Sequence, residues 1–171
     1  IGLMTLQVAK AHGAGQVMIT DVLPDRLALA RQLGADFAIN PQEEDLMAAL
    51  EGHFGPSRAD VILECVGVAA TARDAVRVAR KGSRIIIGGV YEEDVPVQLG
   101  LVQDRELELI GALMYADADF ATALRLLSGG EVRAEPLITH RFPLTDAAEA
   151  FAVADQRAEA LKVLVEVNDA A

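Results

Sequence analysis

The 171 residues suffice for one domain that buries about two-thirds of its unfolded surface. Hydrophobic residues make up 52% of the chain and aromatics only 4%, with no Trp, so the expected core is built from Ala, Val, Leu and Ile. A net charge of −11 repels nucleic acid, no uninterrupted apolar run of about 18 residues is there to span a bilayer, and a single Cys excludes a disulfide framework and a four-Cys zinc site. With no basic stretch ahead of an apolar one to mark a signal peptide, the reading is a globular, cytoplasmic protein with neither nucleic-acid nor membrane partners.

Helical and strand patterns alternate along the chain, which is the signature of a parallel sheet covered on both faces. Leu3–His12 reads as an apolar helix ended by Gly13 at the C′ position, followed by a strand at Gln16–Asp21. Pro24 opens the next helix, whose Leu27, Leu29, Ala30 and Leu33 run to Gly34, and Asp36–Asn40 is a short strand closed by Pro41. Glu43–Phe54 reads as an amphipathic helix with acids in its first turn, where the helix dipole favours them. Gly55, Pro56 and Ser57 turn into a continuous apolar strand at Asp60–Val66, and a helix at Val68–Arg80 ends in Lys81-Gly82.

Arg84–Gly88 is a further buried strand, because Ile85-Ile86-Ile87 is short and β-branched, and Leu107–Leu113 reads as the last strand of the sheet. The pattern then changes to a helix at Ala118–Leu127, a stop at Gly129-Gly130, a strand at Leu137–Phe142, a helix at Thr145–Asp155 and a strand at Lys162–Val167. Residues after about Met114 thus read as a different layer from the repeating units before them.

The most informative feature is the start of the chain. Ile1-Gly2 enters the first helix directly, and the next strand ends in an acid at Asp21, 19 residues after Gly2. This arrangement matches the stretch after the third glycine of G-x-G-x-x-G in a dinucleotide-binding unit, where an acid stands about 20 residues on. The two earlier glycines and the strand before them are not in the sequence, so the expectation is a piece of a longer protein. Gly2 would let the helix pack close to the sheet and opens a helix whose N–H groups meet a pyrophosphate. Asp21 would accept hydrogen bonds from the adenosine ribose hydroxyls and repel a 2′-phosphate, which favours NAD over NADP; a solvated turn Asp is the alternative. Gly67 and Gly88-Gly89 place small residues at strand carboxyl ends, where open α/β sheets bind ligands, or are merely turn formers.

The stretches Ile1-Gly2-Leu3, Thr20-Asp21, Leu33-Gly34-Ala35-Asp36, Glu64-Cys65-Val66-Gly67, Gly88-Gly89-Val90 and Pro136-Leu137-Ile138-Thr139-His140-Arg141-Phe142-Pro143-Leu144 resemble the nucleotide-binding half of zinc-dependent medium-chain alcohol dehydrogenases. Within that family the branch with sorbitol, threonine and butanediol dehydrogenases is most similar. The resemblance spans essentially the whole chain. It implies a Rossmann-type doubly wound sheet lacking the first strand of its motif at residues 1–115, and a segment at residues 116–171 that packs toward a catalytic domain outside this chain. The implied activity of the parent is NAD-linked oxidation of a secondary alcohol or polyol to a ketone. Its zinc ligands would lie in the catalytic domain, so no residue here is assigned a catalytic or metal-binding role and the isolated chain is expected to be inactive.

The resemblance further implies that Arg26 lies against the adenosine, that Val66 and Gly67 sit under the adenosine side, that Gly89, Val90 and Leu113 approach the nicotinamide, and that Lys162 reaches the cofactor phosphates. For Arg26 and Lys162 an ordinary solvated role is the alternative. Met114-Tyr115 departs from the sorbitol dehydrogenases, which carry Arg before the Tyr, and this suggests a less polar substrate than a hexitol. Cys65 reads as a small buried residue, and His12, His53 and His140 form no zinc pattern. The family's edge strand implies a homodimer through Leu107–Leu113, whose Leu107, Leu109, Ile110 and Leu113 make an apolar edge. A zinc-free quinone or enone reductase using NADPH, disfavoured by Asp21, and a non-catalytic nucleotide-sensing module are the competing readings.

Overall fold

The computed structural model describes residues 1–156 and 160–167. The chain forms two compact units, Ile1–Leu124 and Arg125–Ala171. In the first, α1 (Gly2–Ala11), β1 (Met18–Thr20), α2 (Pro24–Gln32), β2 (Phe37–Ile39), α3 (Leu46–Phe54), β3 (Val61–Glu64), α4 (Ala69–Val78), β4 (Arg84–Ile87), α5 (Leu99–Asp104) and β5 (Glu108–Gly111) alternate. The boundary between the units falls within α6 (Asp117–Ser128). The second unit holds β6 (Ile138–Pro143), α7 (Ala147–Ala154) and β7 (Lys162–Glu166), with single 3₁₀ turns at Glu135–Leu137 and Leu144–Asp146.

Every pairing among the described strands is parallel, as alternation of helix and strand requires. The first unit contains two sheets rather than one: β1 pairs with β2, and β3, β4 and β5 pair in that order. β3 is covered less than its apolar sequence suggests. Ile62 and Glu64 face the packed side, whereas Val61 and Leu63 are 49% and 43% exposed.

Glycine ends the helices as its spacing predicts. Gly13 has φ +87°, its N–H meets Lys10 C=O and the next N–H, of Ala14, meets Ala9 C=O; Gly34 and Ala35 repeat this arrangement on Arg31 and Ala30. α3 is a correction: it starts at Leu46 with no acid in its first turn, because Asp45 is the cap and accepts from Ala48 N at 2.8 Å. β5 is shorter than the expected Leu107–Leu113, since Leu107 turns into the core instead of joining the edge. That core joins Ala75, Val76, Ala79, Ile85 and Leu107, with Ile62, Ile87, Val97, Leu101 and Val102 against it, and a second cluster centres on Leu46, Leu50 and Val78.

α5 is not foreseen by the sequence pattern, being six residues long with Gly100 inside it. It leads to Arg105, whose guanidinium donates to the C=O groups of Arg77 and Ala79 at 2.8 Å each and of Val76 at 3.4 Å. These are otherwise orphaned carbonyls at the end of α4, so one cation satisfies the helix terminus and ties α4 to the entry of β5. In the second unit β6 and β7 pair with an irregularity between Ile138 and His140, and α7 packs on both strands.

Candidate functional site

Loops at the carboxyl ends of parallel strands gather Val66, Gly67, Gly89, Val90 and Leu113 at one end of the β3–β4–β5 sheet. Gly88 N and Gly89 N both donate to Glu64 C=O, at 2.8 and 3.0 Å, and Ala112 N donates to Ile87 C=O at 2.8 Å, so the three strand ends are stitched together. Val66, Val90 and Leu113 project apolar side chains into solvent there.

Gly67 and Gly89 are required by contacts within the protein. Gly67 has φ +81°, and a Cβ on it would fall 2.6 Å from the Val90 carbonyl carbon. A Cβ on Gly89 would come within 2.7 Å of Gly67 Cα and would strike Glu64 Oε2 as well. The two turns cross with no space for a methyl group. Gly2 is different. A Cβ there would meet Ile19 Cδ1 at 3.9 Å and Cys65 Cβ at 4.0 Å, which is ordinary contact, so helix-to-sheet packing does not demand glycine at this position.

At the end of β1, Asp21 Oδ1 accepts from Leu23 N at 3.0 Å and Oδ2 lies 3.8 Å from Arg26 Nη1. The structure thus brings Asp21 and Arg26 together, with about a quarter of each side chain exposed (26% and 28%). A carboxylate has about four acceptor sites, so one backbone bond and one long ion pair leave capacity for a vicinal diol. Lys162 stands on β7 in the other unit, exposed, with its C=O accepting from Thr139 Oγ1 at 3.2 Å.

Glu64, to which the sequence pattern assigns no role, stands at the same strand ends. The residue is buried, 5% exposed. Oε1 accepts from Val66 N at 2.9 Å, Gly67 N at 3.0 Å and Thr71 Oγ1 at 2.7 Å. Oε2 is buried without a hydrogen bond of ordinary geometry, and the Tyr91 phenol is the polar group that faces the carboxylate. Burial pushes the carboxyl up, but the donors Thr71, Gly67, Val66 and Tyr91 outweigh it and hold the group below its usual 4.5. Burial, and then the facing carboxylate, push the Tyr91 hydroxyl up to about 12. The one signal in the sequence is an acid closing an otherwise apolar strand, which cannot stay ionised in a core without donors.

Among the described residues no three His, Cys, Asp or Glu side chains converge on a metal-sized site. Cys65 Sγ lies 3.7 Å from Thr5 Oγ1 and from Leu63 C=O, His12 Nδ1 bonds Val8 C=O at 2.9 Å, His53 stacks on Phe37 at 4.0 Å, and His140 Nδ1 bonds Thr139 Oγ1 at 3.0 Å.

A parallel α/β fold with small residues crossing at the strand ends defines the class of ligand-binding doubly wound domains. A family profile described as zinc-binding dehydrogenase matches residues 1–129, and the chain belongs to that family. It is 34% identical to sheep (Ovis aries) sorbitol dehydrogenase over 171 residues, covering 98% of this chain and 48% of that protein. An Escherichia coli oxidoreductase/dehydrogenase of unknown specificity superposes with a TM-score of 0.92 at 29% identity, over 99% of this chain and 48% of that one. A zinc-binding dehydrogenase from Sinorhizobium meliloti bound to NADP superposes with a TM-score of 0.86 at 28% identity, over 98% of this chain and 49% of that one. The chain spans about half the length of these relatives.

Proposed function

We propose that this chain is the NAD(H)-binding portion of a cytoplasmic, zinc-dependent dehydrogenase that oxidises a secondary alcohol or polyol to a ketone. The observation that carries the reading is Asp21 at the carboxyl end of β1, held by Leu23 N, paired with Arg26 and still able to accept two more hydrogen bonds. A ribose diol satisfies that capacity, whereas a 2′-phosphate brings like charge against the carboxylate.

In this reading Arg26 lies along the adenosine, Val66 and Gly67 form the floor beneath it, and Gly89, Val90 and Leu113 present backbone and apolar surface to the nicotinamide. Gly2 leaves room for the pyrophosphate at the start of α1, and Lys162 supplies charge toward the phosphates. The nicotinamide accepts hydride when bound. The contribution of the chain's own residues is to hold that ring at a fixed face and distance, which lowers the entropy cost of transfer. Metal ligands and proton-transfer groups would come from residues outside this chain, among which residues 116–171 would pack. Met114 preceding Tyr115 would suit a small diol or secondary alcohol better than a hexitol, because a thioether makes no charged contact with a hydroxyl.

Titration of the purified chain with NAD and with NADP tests the reading. The expected result is preference for NAD, and for Asp21→Ala about tenfold weaker NAD binding with the preference relaxed, the loss of hydrogen bonds to a charged group being of that size. An unchanged preference in Asp21→Ala, or tighter binding of NADP by the unsubstituted chain, would overturn it.

A further inference from the structure

The turns after β3 and β4 touch at their backbones, and a buried carboxylate stands at the crossing. Oε1 of Glu64 gathers the Val66 and Gly67 N–H groups and the Thr71 hydroxyl, which fixes the turn from β3 into α4. The backbone C=O of the same residue accepts Gly88 N and Gly89 N from the turn after β4. A Cβ on Gly89 would strike Glu64 Oε2 as well as the Gly67 backbone, and the Tyr91 phenol stands opposite. One residue therefore makes contacts with both turns.

We infer that Glu64 is a positioning residue, welding the turn that carries Val66 and Gly67 to the turn that carries Gly89 and Val90, so that two halves of one ligand surface keep a fixed separation. The weld is read from the protein's own contacts. Its consequence for the dinucleotide rests on the nucleotide reading above. Three donors on one oxygen favour an ionised acceptor, and a neutral amide in its place is a weaker acceptor that sets an NH₂ against Gly89. Thr71 has one proton and two acceptors in reach, Glu64 Oε1 at 2.7 Å and Val68 C=O at 3.0 Å, and the charged one is favoured. Tyr91 closes the far side with a hydroxyl that stays protonated at neutral pH.

The test uses the whole chain and reads amide hydrogen exchange by NMR alongside NAD affinity. For Glu64→Gln and Glu64→Ala, exchange at Val66 and Gly67, whose N–H groups bond the carboxylate, is expected to speed up by about tenfold or more, while amides in β1 and β2 keep their protection. NAD affinity should fall about fivefold or more in both, with Thr71→Val in between, each loss being that of a hydrogen bond to a charged group. If Glu64→Ala fails to fold, Glu64→Gln, which preserves shape, carries the result. Unchanged exchange at Gly67 overturns the weld. Protection lost evenly over the whole sheet overturns it in favour of general structural support, and faster exchange with unaltered NAD affinity overturns the positioning role. If the unsubstituted chain binds no NAD, the nucleotide reading fails and the exchange pattern alone decides the weld.

Discussion

Gly67 and Gly2 look alike in the sequence and differ in what holds them. At Gly67 the backbone sits at φ +81° and a methyl group would be driven into Val90, so both conformation and contact forbid a side chain. At Gly2 the same methyl group meets only ordinary contacts. Gly67→Ala is therefore expected to cost roughly 1–3 kcal/mol in urea unfolding, the range for a residue forced into a disfavoured backbone region. Gly2→Ala should leave the midpoint almost unchanged while weakening nucleotide binding. Equal stability losses in both variants would contradict this division. Asp21 stands out in the sequence because of its spacing from Gly2. Glu64 does not, since an acid ending an apolar strand carries no mark of whether donors await it.

At the scale of elements, α1 is anchored at its carboxyl end by a charge that also orders the strands beside it. Lys10, in the last turn, donates to Gly15 C=O at 3.1 Å and to Asp36 Oδ2 at 2.6 Å, and the same oxygen accepts Val17 N at 2.6 Å. A cation here also favours the helix dipole. The Lys10 hydrogen bond, and then Val17 N, hold the Asp36 carboxyl below its usual 3.8. A depressed acid contributes stability that is fully present above the unfolded value and is lost as pH falls through the folded one. Asp36→Asn should accordingly lower stability by about 1 kcal/mol at pH 7, a figure already reduced for partial exposure, and the gap to the unsubstituted chain should close below about pH 4. A gap that persists undiminished at pH 3 in urea titrations would refute the assignment. The helix stops at Gly13 and Gly34 are readable from sequence, whereas the Arg105 cap on α4 depends on an approach across 26 to 29 residues that no local pattern contains.

For the whole molecule the open question of chemistry is how the chain associates. β5 is the last strand of its sheet, and its Leu109 and Ile110 are 36% and 41% exposed beside exposed Leu113 and Met114. Glu108 is partly neutralised by Arg84 at 3.2 Å, which weakens the charge that would discourage edge pairing. Two-fold pairing of this edge would satisfy its N–H and C=O groups in both copies and close as a dimer. Sedimentation of the chain at tens of micromolar is expected to give a homodimer, and Ile110→Lys a monomer. A monomer in the unsubstituted chain would dispose of the pairing.

The alternation of short apolar runs with helical periods was enough to establish a parallel α/β chain, because parallel strands need a crossover and short β-branched runs cannot continue a helix. The glycines that stop α1 and α2, the Gly2-to-Asp21 spacing and the family were equally legible, since each is a local or fixed-spacing pattern. Tertiary structure alone decided that Leu107 belongs to the core and not the edge, and that Gly67 and Gly89 are glycines because two turns collide. It also gathered around Glu64 the donors that favour its charged form. Each of these depends on which backbone lies next to which, a long-range property that residue type and spacing do not carry.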